Sequence, residues 1–160
     1  MRRLIGSIAL IFSCVMIAVP SYGVEHVMSL DGVCQKLFVQ KYDWTKWCKN
    51  RVVNSVTDNG DVGFTFVSSN PNISSTVTFD GRGPDQVKPS PDSVIQPVRR
   101  IIFSIAGMGI KPKEERAVGS CRFANPYKGK MTIQCSAQTH DGHFEAVFQT
   151  NGQPPDEIVP

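Results

Sequence analysis

The chain has 160 residues, with 17 Lys and Arg against 14 Asp and Glu, a formal charge of +3 at neutral pH. Arg2 and Arg3 belong to an apolar leader, and without them the balance is 15 against 14. So even a balance argues against a dedicated nucleic-acid binder, and the length suits one domain with a real core.

Leu4 to Val19 is an uncharged apolar run of 16 residues behind the two arginines. Pro20 ends it, and Ser21 and Gly23 place small residues before a cut ahead of Val24, the three-part pattern of a signal peptide. The run is shorter than the roughly 20 residues a spanning helix needs. The expected organisation is a signal peptide over 1–23, a single β domain over 24–150 and a disordered tail over 151–160, with a periplasmic or secreted location and no stable membrane insertion once the signal is removed. Cys14 leaves with the signal. Four cysteines then remain in an oxidising space, which reads as two disulfides.

The segment from Cys34 to Cys48 has apolar residues at helical spacing, Leu37 and Phe38 among them. A continuous helix over that span would be about 21 Å long, whereas bridged α-carbons sit within about 7 Å. Either the chain turns back near Lys41 or the cysteines pair elsewhere. Four cysteines allow three connectivities, and the local pairs Cys34–Cys48 and Cys121–Cys135 are the favoured set. Tyr42, Trp44 and Trp47 fall inside this bracket. Aromatic residues with polar edges suit recognition of a sugar or protein, and they equally suit a plug at one end of a barrel beside the bridge.

Asn59-Gly60 predicts a hairpin turn with Val53 opposite Phe66 and Ser55 opposite Phe64. Ile73, Val77 and Phe79 alternate with Ser74, Thr76 and Thr78, so 73–79 reads as a strand. The stretch from Gly81 to Ser93, rich in Gly, Pro, Asp and Ser, reads as loop. Ile101, Phe103 and Ile105 predict a further strand. The segment from Gly109 to Ser120 reads as a charged bridge in which Glu114 and Glu115 are solvated.

Cys121 to Cys135 predicts a hairpin centred on Lys128, with Cys121 opposite Cys135 and Phe123 opposite Ile133. Side chains alternate between faces, so Phe123, Ile133 and both cysteines share one side. Asp141-Gly142 then predicts a second turn, with Thr139 opposite Phe144 and Ala137 opposite Ala146. The fold class expected is all-β, a small antiparallel sandwich or barrel of about six to eight strands, with a short helix or turn near the mature N-terminus. The immunoglobulin pattern fails, because no Trp lies between Cys48 and Cys121 and Gly119 stands where the tyrosine corner belongs.

No Gly-x-Ser-x-Gly is present, and an even cysteine count leaves no thiol nucleophile. His140 and His143 flank the Asp141-Gly142 turn, with Glu145 near. They are weak metal candidates, as is His26 beside a free amine at Val24. No cofactor is expected. Asn72-Ile73-Ser74 would accept a glycan in a eukaryotic secretory pathway. The leading expectation is an exported non-enzymatic binding module for a protein, such as a hydrolase it inhibits, or an envelope glycan. Tyr127, Arg122, Lys128 and Lys130 at the hairpin tip are its first candidate contacts, and Tyr42, Trp44 and Trp47 the second. One alternative is a small hydrolase built from Asp80, Asp85, Asp92, His140 and His143. Another is a structural envelope-associated protein.

Overall fold

A computed structural model describes residues 24–107, 109 and 111–158. The expected signal peptide lies outside the described residues. In chain order the strands are β1 (Val24–Val39), β2 (Tyr42–Asp43), β3 (Cys48–Thr57), β4 (Asp61–Ser69), β5 (Ser74–Arg82), β6 (Val87–Ser90), β7 (Ser93–Ile105), β8 (Lys113–Phe123), β9 (Thr132–Thr139), β10 (His143–Thr150) and β11 (Asp156–Ile158). Eight of them form an antiparallel meander in the order β1-β3-β4-β5-β7-β8-β9-β10, and β10 returns to pair with β1. The molecule is therefore a closed barrel with three short extra strands, which resolves the choice between sandwich and barrel.

One long strand makes the closure. Val24–Asp31 of β1 pairs with β3, and Gly32–Val39 pairs with β10. A bulge between Cys34 and Lys36 bends the strand where it changes partner. Closure leaves no long edge open.

The interior follows strand alternation. Leu37, Val52, Phe66, Val77, Phe79, Ile101, Ile133, Ala146 and Phe148 are essentially inaccessible. Within the β9–β10 pair a large residue meets a small one, Phe144 opposite Ala137, and two small ones meet at Ala146 and Cys135. Gln96 is the main polar intruder. Its amide donates to the carbonyls of Arg82 (2.8 Å) and Pro97 (3.0 Å), and its oxygen accepts from Gln86 (2.8 Å). Every polar atom of that side chain is thus partnered.

Both disulfides join the local pairs. The α-carbons are 5.9 Å apart in Cys34–Cys48 and 4.0 Å apart in Cys121–Cys135. Two disulfides suggest an oxidising, extracellular or periplasmic environment. The first bracket turns back at Gln40-Lys41, with Gln40 at a φ of 61°. Val39 faces Tyr42 across the turn, and a single 3-10 turn over Thr45–Trp47 leads into β3.

Several expectations change. The β3–β4 hairpin is displaced by one residue, so Val52 rather than Val53 faces Phe66, and Asn54 rather than Ser55 faces Phe64. The cause is a three-residue loop in place of a two-residue one. Gly60 donates to the Thr57 carbonyl (2.8 Å) with a φ of +79°, and Asp61 N–H is held by Thr57 Oγ1 (3.2 Å) and Asn59 Oδ1 (3.1 Å). A one-residue slip exchanges the two faces of β3, which is why Val52 rather than Val53 is in the core.

The β9–β10 hairpin slips by two, with Ala137 opposite Phe144. Thr139 closes a His140-Asp141 loop, accepting from Asp141 N–H and donating to the Gly142 carbonyl. An even slip keeps the faces, so the expected inward residues still point inward. The supposed loop 81–93 contains edge strand β6, and the supposed charged bridge is strand β8. Within the expected tail, Asp156–Ile158 forms β11 and pairs with Val27–Ser29 on the edge of β1 that β10 leaves open.

Candidate functional site

An eight-stranded barrel has an interior just wide enough for side chains, or for one small ligand where they are withheld. Here they are withheld at one end. A cavity of about 450 Å³ opens there. Its walls include Val39, Phe144, Phe103, Ile105, Tyr42, Trp44 and Trp47, with Ser68, Ser75, Lys113 and Glu115 as polar members.

The aromatic part of the wall is held firmly. Trp44 N–H donates to the Leu37 carbonyl (2.8 Å), Leu37 N–H to Thr45 Oγ1 (3.0 Å), and Thr45 N–H to Asp43 Oδ1 (2.9 Å). The Cys34–Cys48 bridge closes this loop at its base. The Trp44 ring packs on Phe103 at 5.7 Å between centroids. Trp44 and Trp47 are half-buried. They sit at a barrel end beside the bridge and line the cavity. Outside the cavity, Lys46 Nζ lies 4.1 Å from the Trp47 ring centre and Lys41 Nζ 5.3 Å from that of Tyr42.

The opposite wall carries the charge. Glu115 shares the inward register of Ala117, Gly119 and Cys121 on β8, and its side chain is 15% exposed. One carboxylate oxygen accepts from Lys113 Nζ at 2.7 Å. The other, Oε2, is buried and has no hydrogen-bond partner. Lys113 also binds the Asp141 carboxylate. The hydrogen bonds that Lys113 donates to Asp141 and Glu115 push its ammonium well above its ordinary range, and the Lys113 contact holds Asp141 below its own. Glu115 was expected to be solvated, and its place on an inward-facing strand overturns that. The signal was present in period-two spacing with Cys121, but the small inward residues Ala117 and Gly119 hid the strand.

The sequence candidates divide between two places. Tyr42, Trp44 and Trp47 converge on the cavity. Tyr127, Arg122, Lys128 and Lys130 lie on or beside the β8–β9 hairpin, at the far end of β8 from Lys113 and Glu115. There Tyr127 is exposed with its hydroxyl 3.7 Å from Met28 Sδ, and Lys128 is 2.5 Å from Asp92. Arg122 and Lys130 are exposed.

The hydrolase candidates do not assemble. Asp80 is on β5 and His140 and His143 are at the β9–β10 turn, three strand spacings apart, or roughly 14 Å. Asp80 is buried on the outer face and bound by Arg100 Nε (2.7 Å). Its burial raises the carboxyl above the usual range, against the pull of Arg100. Asp92 pairs with Lys128, and Asp85 lies in the turn after β5. His143 Nε2 is 3.8 Å from Glu145, which is itself committed to Lys36 at 2.7 Å. His26 lies half-buried within β1, opposite Val56. Among the described residues no group of three or more His, Cys, Asp and Glu could hold a metal ion.

Fold and site together define a disulfide-bonded eight-stranded barrel with a largely apolar mouth. Comparison with family models, curated proteins and solved structures returns no match, so the function is argued from this geometry.

Proposed function

We propose that the chain is an exported, non-enzymatic binding protein whose barrel mouth takes up the apolar body of a small ligand. The observation that carries this reading is the 450 Å³ cavity lined by both tryptophans of the protein. The volume lies in the range of roughly 300–1,000 Å³ usual for ligand pockets, which combine apolar walls with a few placed polar groups. A glycan spreads hydroxyls over its whole surface and needs a partner for each, and this mainly apolar wall suits one poorly. The outward residues of β9, Thr132, Gln134, Ser136 and Gln138, are all exposed and polar. That pattern is the reverse of a lipid-facing barrel and supports a protein that works in water.

A neutral fluorescent probe, N-phenyl-1-naphthylamine, tests the reading. The oxidised protein should bind one equivalent, with quenching of tryptophan emission. Ser75→Phe, which puts a ring into the cavity, should abolish the binding. No uptake by the wild type, or equal uptake by the filled variant, would sink the proposal.

A further inference from the structure

The inner wall of the barrel changes character at the mouth. On β4 the inward positions run Phe64, Phe66, Ser68, and on β5 they run Phe79, Val77, Ser75, with Ser68 directly opposite Ser75. Strand alternation makes both serine side chains continue the faces of Phe66 and Val77. Both residues line the cavity, although only 5% and 3% of their surface is exposed. Two short side chains in place of large apolar ones help to leave the space open, and they set two hydroxyls side by side on a mainly apolar wall. On the outer face of the same strands, Thr65 and Thr78 commit their hydroxyls to each other at 2.8 Å, and no such bond joins Ser68 to Ser75. Neither serine oxygen is sealed in without a partner, a condition that among the described residues only Glu115 Oε2 meets.

The charged groups of the mouth offer no comparable handle. Lys113 donates to Glu115 and to Asp141, Asp141 is also hydrogen-bonded with Glu115, and Glu115 Oε2 is inaccessible. A charged head entering the cavity would lose its hydration beside groups already committed to one another, which is costly. A neutral hydroxyl loses far less, and a pair of serines can both accept from it and donate to it.

We propose that the cavity selects small uncharged alcohols, with the hydroxyl head seated at Ser68 and Ser75 and the apolar body against Trp44, Phe103 and Phe144. This deepens the binding-protein reading and rests on it. Titration of tryptophan emission tests it with four molecules that share a body: 3-phenylpropan-1-ol, propylbenzene, 3-phenylpropylamine and 3-phenylpropanoate. Both tryptophans line the cavity, so the signal reports this site. The alcohol should bind about tenfold or more tighter than the amine or the acid. In the double variant Ser68→Ala/Ser75→Ala the alcohol should weaken about tenfold, as expected for two neutral hydrogen bonds, while propylbenzene binds as well as before. Unchanged propylbenzene binding shows the pocket to be intact. Either single alanine variant, with a loss of about threefold, decides the matter if the double one does not fold. Equal binding of alcohol, amine and acid, or a preference for either ion, overturns the neutral-head assignment. An alcohol-to-propylbenzene ratio that the alanines leave unchanged overturns the role of the serines, and a generic apolar pocket stands. If none of the four binds while N-phenyl-1-naphthylamine does, the alcohol assignment falls alone, and if that probe fails as well, the binding reading falls with it.

Discussion

Lys113 stands between Asp141 and Glu115, and its charge is what keeps the mouth from repelling itself. The lysine is held above its ordinary range and Asp141 below the usual 3.8. A carboxylate with a depressed folded value contributes stability that is fully present above its unfolded value and fades as pH falls through the folded one. The Asp141 contribution should therefore persist down to about pH 4 and be lost in stronger acid. A carboxyl-detected NMR titration should place the Asp141 midpoint below 3.8 in the wild type, moving up in Lys113→Met. A midpoint that ignores the substitution would remove the pair from the account. On the outer face, Arg100 Nη2 binds Asp61 (3.0 Å) while its Nε binds Asp80 (2.7 Å), a fork that only guanidinium supplies. Arg100→Met strands the buried Asp80, while Asp61 keeps Arg99 Nη2 at 2.6 Å, and should cost about 1–3 kcal/mol in urea denaturation. Arg100→Lys should recover less than half of that, and full recovery would show that charge rather than geometry is what counts.

At the level of elements, hairpin loops decide which residues reach the core. Gly60 closes the β3–β4 loop in a left-handed conformation that an L side chain adopts at a cost of about 1–2 kcal/mol. Its neighbour Asn59, with Thr57, ties down Asp61. Gly60→Ala should lower stability by about that amount without changing which face of β3 is buried, as amide exchange at Val52 and Val53 can check. The β8–β9 pair is held differently, by a bridge whose two sulfurs are wholly inside the barrel. Replacing Cys121 and Cys135 together with Ala should cost about 3 kcal/mol, the closure entropy of a loop of this length. A loss near zero would mean that the strands hold their register without it.

For the whole molecule the decisive contact is the seam where β1 meets β10, joining residues more than a hundred positions apart. Gly32 sits in it because nothing larger fits: a β-carbon there would fall 2.0 Å from the Gln149 carbonyl oxygen and 2.7 Å from Thr150 Cα. Gly32→Ala must open the seam locally and should cost about 1–3 kcal/mol or more. Because the seam closes the meander, the loss should appear in one cooperative transition, with fluorescence and far-UV dichroism coincident. Two separate transitions would mean that the barrel does not need its closure.

The sequence by itself determined the strand character, the aromatic cluster at Tyr42, Trp44 and Trp47, and the inward faces of β9 and β10, and it favoured the local cysteine pairs among three connectivities, because each rests on neighbours in the chain: alternation, turn residues and short spans. It misjudged β8, where the inward positions carry Ala117 and Gly119 and leave no hydrophobic alternation to see. It also misjudged β3, where loop length rather than composition set the register. Only the tertiary structure decided that the sheet closes, since closure depends on contacts between distant strands, and only closure creates the cavity. Trp44, Phe103, Glu115 and Phe144 belong to four separate strands or turns. No local rule makes them neighbours; the curvature of a barrel does.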